Sequence, residues 1–349
     1  MVHGAKVKEA HELVEFLRKF KGKNIFISVL GSPDPDGLAS AWALKVIARH
    51  AGVNADIFYF EELSRPDNTE FLHVLDIPAR KATNDALEDG RYEGYAAVDR
   101  QNPTLPVPVE IPLLVHIDHH AGSETKALFS YRREDVGSTS AIMTWLLMPF
   151  FDTIFTNDDE RRRLCTALMF GIRTDTMDFI TATQKDFKAS AFISPFTDKC
   201  TIRKLCATPL GVPFLKTLKQ ALDSMKVKES MLVAYAGNVQ PKARDSIGQT
   251  ADFLLRVEGV ETAIVFGLVK GFVVGSLRTK SDSLDTAKIL EDALRPVVKG
   301  TVDCGGRRFA GGFQIPLDNL TGVSIDKIGE VLVRAFHRYA QCTRSANEK

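Results

Sequence analysis

Asn24-Ile25-Phe26-Ile27-Ser28-Val29-Leu30-Gly31-Ser32-Pro33-Asp34-Pro35-Asp36-Gly37 is the stretch that decides how this chain folds. An apolar run of strand character enters a Gly/Pro turn, and from 39 to 48 the apolar spacing becomes helical. A β-turn-α unit delivers the polar residues that follow its strand to one edge of a sheet. Here those residues are Asp34 and Asp36. Two more apolar runs end in the same way, 95–98 at Asp99 and 113–117 at Asp118-His119-His120. If the three strands are parallel, several anionic oxygens and two imidazoles gather at one edge. Such a cluster is costly unless a cation neutralises it, so the pattern points to a divalent-metal site that handles phosphate.

Outward from this unit, strands and helices alternate. Helices are predicted over 7–20, 39–48, 138–149 and 159–170, and strands over 24–30, 55–60, 94–98 and 113–117. The expectation is an α/β fold with a mainly parallel sheet and helices on both faces, binding its ligand at the carboxyl ends of the strands. Residues 184–224 read as helical without a strand. A second set follows, with strands at 231–236, 262–268 and 272–277 and helices at 247–256, 284–293 and 325–339. Antiparallel strands joined by Lys270-Gly271 suit a smaller C-terminal α/β domain with a mixed sheet. The predicted organisation is a metal-binding domain over 1–200, a helical connector over 201–228 and a second domain over 229–349.

Bulk properties narrow the partners. The 349 residues are 44% hydrophobic and 26% charged, which suits a globular protein with room for two domains. A formal net charge of +1 supplies no global field for duplex DNA, so an anionic ligand must be drawn by local charge. Five scattered cysteines form no CxxC pair and argue against a structural zinc or a secreted disulfide framework. No signal-like segment and no run of about 18 apolar residues is present, so the expected setting is cytoplasmic, without a membrane partner.

Each motif is ambiguous alone. An isolated Asp-Pro-Asp-Gly is more often a hydrogen-bonded turn, but if its backbone is extended, Asp34 and Asp36 point to one side and Pro35 stiffens the link. Asp99 alone could be a cap. Three of the eight histidines fall at 116, 119 and 120, where a core histidine or a surface pair competes with a ligand. A fourth carboxylate, Asp175, lies in Gly171-Ile172-Arg173-Thr174-Asp175-Thr176, just past the predicted helix, with Asp178 as its alternative. Together the motifs favour oxygen-rich ligation with one imidazole, which suits Mn²⁺ or Mg²⁺. In Gly275-Ser276-Leu277-Arg278-Thr279-Lys280 and Gly305-Gly306-Arg307-Arg308-Phe309-Ala310-Gly311-Gly312, glycines permit close phosphate approach and Arg278, Lys280, Arg307 and Arg308 supply charge.

In this order and context, the four N-terminal motifs resemble those of the DHH phosphoesterase superfamily, and the last two resemble its associated C-terminal domain. The resemblance is closest to the two-domain subgroup of oligoribonucleases that also dephosphorylate 3′-phosphoadenosine 5′-phosphate, and to exopolyphosphatase-related chains. It implies two ions bridged by Asp99, one also held by Asp34 and the other by Asp36, His119 and Asp175. His120 would face the scissile phosphate, and Asp99 and His120 would carry catalysis. Arg278, Lys280, Gly305, Gly306, Arg307 and Arg308 would bind the rest of the substrate with His120. Two positions depart from the family pattern: Leu30 where many members have a histidine ligand of the first ion, and Arg307 where the glycine-rich motif usually has histidine. Gly122-Ser123 also stands where relatives often have Ser-Asn. The resemblance implies a metal-dependent phosphoesterase acting on short single-stranded oligonucleotides, linear dinucleotides or phosphorylated nucleotides. An exopolyphosphatase, or a nucleotide-binding module that lost the first metal, is the alternative, and a homodimer is left open.

Overall fold

The apolar run 24–29 forms β1 (Asn24–Val29) at the centre of a six-stranded sheet in the computed structural model, which describes residues 3–63, 66–83, 86–87, 90–108, 110–122, 125–207, 211–307, 309–320 and 327–347. Every residue of β1 after Asn24 is buried, which is why it reads as an unbroken apolar run and not as an alternating one. Its companions are β2 (Asn54–Tyr59), β3 (Ala79–Lys81), β4 (Tyr95–Val98), β5 (Leu113–Asp118) and β6 (Phe129–Arg132), in the order β3-β2-β1-β4-β5-β6. All neighbouring pairs are parallel. The order reverses between β1 and β4, and the carboxyl ends of these two strands therefore flank the crevice where parallel sheets bind ligands.

The helices of this first unit are α1 (His3–Arg18), α2 (Pro35–His50), α3 (Pro66–Val74), α4 (Thr139–Leu147), α5 (Asp158–Asp175), α6 (Gln184–Ile193) and α7 (Lys199–Cys206). Asp34 caps α2, accepting the Gly37 N–H at 2.9 Å, and Pro35 opens the helix with its φ already helical. The expected extended Asp34-Pro35-Asp36 segment is therefore corrected to a helix start: the cap and Pro35 begin α2 four residues before the predicted position. α2 packs against α4 and α5 in the main core, with Leu38, Trp42, Ile142 and Leu168 among its buried residues. On the other face of the sheet a smaller cluster joins Phe26, Phe58, Leu87, Tyr92 and Tyr95. β3 and β6, which no apolar run announced, are short, partly exposed edge strands.

The chain divides into Met1–Thr208 and Pro209–Lys349. The segment expected as a connector is shared between them. α7 packs against α3 and α5, whereas α8 (Val212–Ser224) packs against the strand that begins at Met231. Each helix buries its apolar side in its own unit. The second unit holds β7 (Lys226–Lys228), β8 (Met231–Asn238), β9 (Thr262–Val269), β10 (Phe272–Thr279), β11 (Asp303–Arg307) and β12 (Ala310–Pro316). Their order is β11-β12-β10-β9-β8-β7, with β8 and β9 parallel and the other pairs antiparallel. Lys270 and Gly271, with φ of 44° and 82°, form the left-handed turn between β9 and β10. α8 and α9 (Ser246–Leu254) cover one face, and α10 (Thr286–Leu294) and α11 (Ile328–Asn347) the other. The glycine-rich segment, read above without a strand, forms the β11–β12 ladder, pairing Gly305 with Gly312 and Gly306 with Gly311. No helix among the described residues is long and apolar enough to cross a membrane.

Candidate metal centre

Asp36 stands in the first turn of α2, only 1% exposed. Its two oxygens accept the N–H groups of Thr139 at 2.8 Å and Ser140 at 2.7 Å, the free donors at the start of α4. Asp99 follows β4 with φ of 53°, a left-handed conformation that aspartate tolerates better than most residues. Its Oδ1 accepts the Thr139 hydroxyl at 3.0 Å, so one threonine serves two carboxylates. Asp175 is the last residue of α5, not a loop residue as expected, because the helix runs on past 170. Gly171 explains how α5 comes so close: a Cβ there would overlap the Ser140 hydroxyl and lie 3.1 Å from Asp36 Cα.

The two imidazoles lie just past β5. His119 Nε2 is 3.0 Å from Asp175 Oδ2 and 3.5 Å from Asp99 Oδ1, yet it is buried without a hydrogen-bond partner among the described residues. His120 Nδ1 is 2.7 Å from Oδ1 of Asp118, a fully buried carboxylate that fixes the ring. The ligand atoms of Asp36, His119 and Asp175 lie within 4.8 Å of one another, as do those of Asp99, His119 and His120. His119 belongs to both groups.

Electrostatics follow from this crowding. Burial, then the Asp175 charge, push the Asp36 carboxyl up to about 7. Burial and the charges of Asp36 and Asp34 raise Asp99 well above the carboxylate range. Burial would lower His119, but Asp175, Asp99 and Asp36 outweigh it and lift the ring to about 10. Burial also works against the Asp118 anion, but its bond to His120 prevails and holds the carboxyl below its usual value. Carboxylates driven towards protonation around a buried imidazole form a donor set that a hard or borderline divalent ion fits.

Asp34 is half-buried and belongs to neither three-residue group; its Oδ1 serves as the α2 cap while its charge acts on Asp99. Of the two aspartates after Gly171, the structure brings Asp175 to the cluster, whereas Asp178 is exposed and paired with Arg173 at 2.8 Å. His116 is a core histidine, fully buried between Thr125 Oγ1 at 3.1 Å and the Arg100 carbonyl at 2.8 Å. Leu30, at the position of the departure noted above, is a buried apolar residue. In the second unit Arg278 donates to Asp252 Oδ1 at 2.7 Å and Ser276 Oγ at 2.6 Å, and Lys280 Nζ bonds the Val260 carbonyl at 2.7 Å. Gly305 is exposed, and a Cβ there would meet nothing within 4 Å. Arg308 and the side chain of Arg307 lie outside the described residues.

Known proteins resemble this chain in sequence and in fold. Residues 24–172 match the DHH family, N-terminal domain. Over those residues the first unit carries a DHH-family N-terminal domain. The matched span of the DHH domain begins with β1 and ends at Ile172, three residues before Asp175. An uncharacterized protein of Methanocaldococcus jannaschii is 32% identical over 313 residues, 87% of this chain; the chain spans 61% of the length of that relative. An exopolyphosphatase-related protein from Bacteroides fragilis shares the fold with a TM-score of 0.71, 13% identity and coverage of 97% of this chain and 98% of its own. Two manganese-bound RecJ structures, one from Thermus thermophilus, align over 98% of this chain with TM-scores of 0.52. Their identities are 12% and 13%, and 95% and 55% of those chains are covered.

Residues outside the quoted motifs complete the candidate site. Ser138 caps α4, and the buried Asp186 accepts the Gly137 N–H at 2.9 Å, the Ser138 hydroxyl at 3.3 Å and the Thr183 N–H at 2.8 Å. It ties the start of α6 to the start of α4, and so steadies Thr139 and Ser140 under Asp36 and Asp99. Thr183-x-x-Asp186 is a capping box that sequence could have disclosed; its link to Gly137 could not be read locally.

Proposed function

We propose that this chain is a divalent-metal-dependent phosphoesterase acting on short single-stranded oligonucleotides, linear dinucleotides or phosphorylated nucleotides in the cytoplasm. The observation that carries the reading is the convergence of Asp36, Asp99 and Asp175 on the buried His119, whose Nε2 lies 3.0 Å from Asp175 and 3.5 Å from Asp99. Asp36, His119 and Asp175 would hold one Mn²⁺ or Mg²⁺ ion, Asp34 a second, and Asp99 would contribute to both. Ions in such a site screen phosphoryl oxygens and acidify a water for in-line attack. The chain's own part is orientation. The α4 N–H groups fix Asp36, Thr139 fixes Asp99, and Asp118 holds Nδ1 of His120, the residue assigned to the scissile phosphate. Arg278, Lys280, Gly305, Gly306, Arg307 and Arg308 are assigned to the rest of the substrate.

The test is a panel with Mn²⁺ or Mg²⁺, comparing short RNA, short DNA, linear dinucleotides, 3′-phosphoadenosine 5′-phosphate and polyphosphate. Hydrolysis of at least one nucleotide substrate, abolished by Asp99→Ala, is expected; turnover of polyphosphate alone, or of nothing, refutes the reading. A binding-only module is the second reading, favoured by one observation: among the described residues Asp34 belongs to neither three-residue group, and Leu30, four residues before it, offers no ligand atom. That reading predicts nucleotide bound and recovered intact with every metal tried.

A further inference from the structure

Three successive carbonyls on the loop that carries the imidazoles are each taken by a side chain from outside that loop. Arg132 Nη2 donates to His120 O at 2.7 Å, Gln101 Nε2 to Ala121 O at 2.6 Å, and Arg132 Nη1 to Gly122 O at 3.0 Å. Arg132 ends β6 in register with Asp118, and its Nε lies 3.9 Å from Asp118 Oδ2. The guanidinium therefore holds the backbone on both sides of Ala121 and also faces the carboxylate that fixes His120. Gln101 comes two residues after Asp99, so its amide ties the segment after β4 to the segment after β5. Gly122 leaves room for both: a Cβ there would lie 2.9 Å from Gln101 Cγ and 3.3 Å from Arg132 Nη2.

We propose that Arg132 and Gln101 are positioning residues that set the spacing between Asp99 and the imidazoles of His119 and His120. The proposal rests on the metal-centre reading above. Neither side chain is assigned contact with metal or substrate; each acts through the backbone. The planar fork of arginine spans two carbonyls from one head group, a geometry that the single ammonium of lysine does not reproduce, although its charge would still face Asp118.

The experiment uses the full chain carrying Arg132→Lys, Gln101→Met or both, with two readouts: Mn²⁺ affinity by calorimetry, and the histidine ring ¹⁵N signals of the metal-free protein. The expected result is an affinity loss of about tenfold or more for Arg132→Lys, in the range of supports behind metal ligands. The double variant should lose less than the product of the two single losses, because both side chains hold one loop. Ring signals of His119 and His120 should move in each variant, while those of His337 in the second unit stay. Full affinity in Arg132→Lys, or unmoved His119 and His120 signals in both single variants, overturns the proposal. Gln101→Met alone keeps the test decisive should Arg132 variants fail to fold. If wild-type protein binds no Mn²⁺, the metal-centre reading falls, and the ring signals still decide the positioning roles.

Discussion

Adding one methyl group at Gly171 tests whether the closeness of α5 builds the centre. The Cβ of Gly171→Ala would overlap the Ser140 hydroxyl and lie 3.1 Å from Asp36 Cα and 3.2 Å from the Pro35 carbonyl. Two effects oppose each other. Alanine favours the helix over glycine by up to about 1 kcal/mol, while an extra carbon in a packed core costs roughly 1–3 kcal/mol. Because two of the three neighbours are backbone atoms and cannot rotate away, overpacking should win by about 1–2 kcal/mol. For a unit of this size that lowers the melting temperature by about 3–6 °C. Asp175 lies four residues on, one turn along the same helix, so the displaced α5 should draw it from His119 and weaken Mn²⁺ binding about tenfold. Thermal melts with and without Mn²⁺, together with calorimetric titration, measure both effects. Ser140→Ala in the same chain removes the worst overlap and should return part of each. A Gly171→Ala protein that melts at or above wild type and binds Mn²⁺ unchanged would refute the reasoning.

Three further outcomes are expected. With no metal bound, Asp36 at about 7 and His119 at about 10 hold protons that the unfolded chain releases near pH 4 and 6.5. Their contribution to stability is full below those unfolded values and is lost as pH rises through about 7 and then about 10. The metal-free melting temperature should therefore fall from pH 5 to 9 and recover with Mn²⁺, which replaces the protons; a rise with pH in EDTA would contradict this. Asp36→Asn sets an amide donor against the Thr139 or Ser140 N–H, so a loss of about 1–3 kcal/mol and of Mn²⁺ binding is expected in denaturant and calorimetric titrations. Asp178→Ala removes an exposed pair with Arg173 and puts alanine at a left-handed φ of 58°, so it should cost about 1 kcal/mol with Mn²⁺ affinity unchanged, whereas Asp175→Ala should abolish binding; equal effects on binding would reject the assignment.

Much of the first unit was legible because buried parallel strands write themselves as unbroken apolar runs. β4 stops just before Asp99, β5 ends on Asp118, and β1 leads through a short turn to Asp34; that pattern, repeated three times, is what marked Asp34, Asp99 and His119 as candidates. The helix starts were less legible. Asp34-Pro35-Asp36 satisfies an extended turn and a capped helix equally well by local pattern, and only the packing of α2 under α4 and α5 selects the helix. Arg132 stayed hidden because β6 is a four-residue edge strand without an apolar run.

By itself the sequence determined which residue types end the strands, the α/β class and the likeness to the DHH family, because these follow from local hydrophobicity and from motifs a few residues long. The tertiary structure decided which of those residues meet. It placed β1 beside β4, brought Thr139 to Asp36 across 103 residues of chain, and chose Asp175 over Asp178. It also gave the paired glycines of 305–312 a strand ladder. The reason is physical: strand order, a helix N-terminus aimed at a carboxylate and a buried imidazole crowded by carboxylates arise from burial and pairing between distant segments. No local stretch of residues contains those energies.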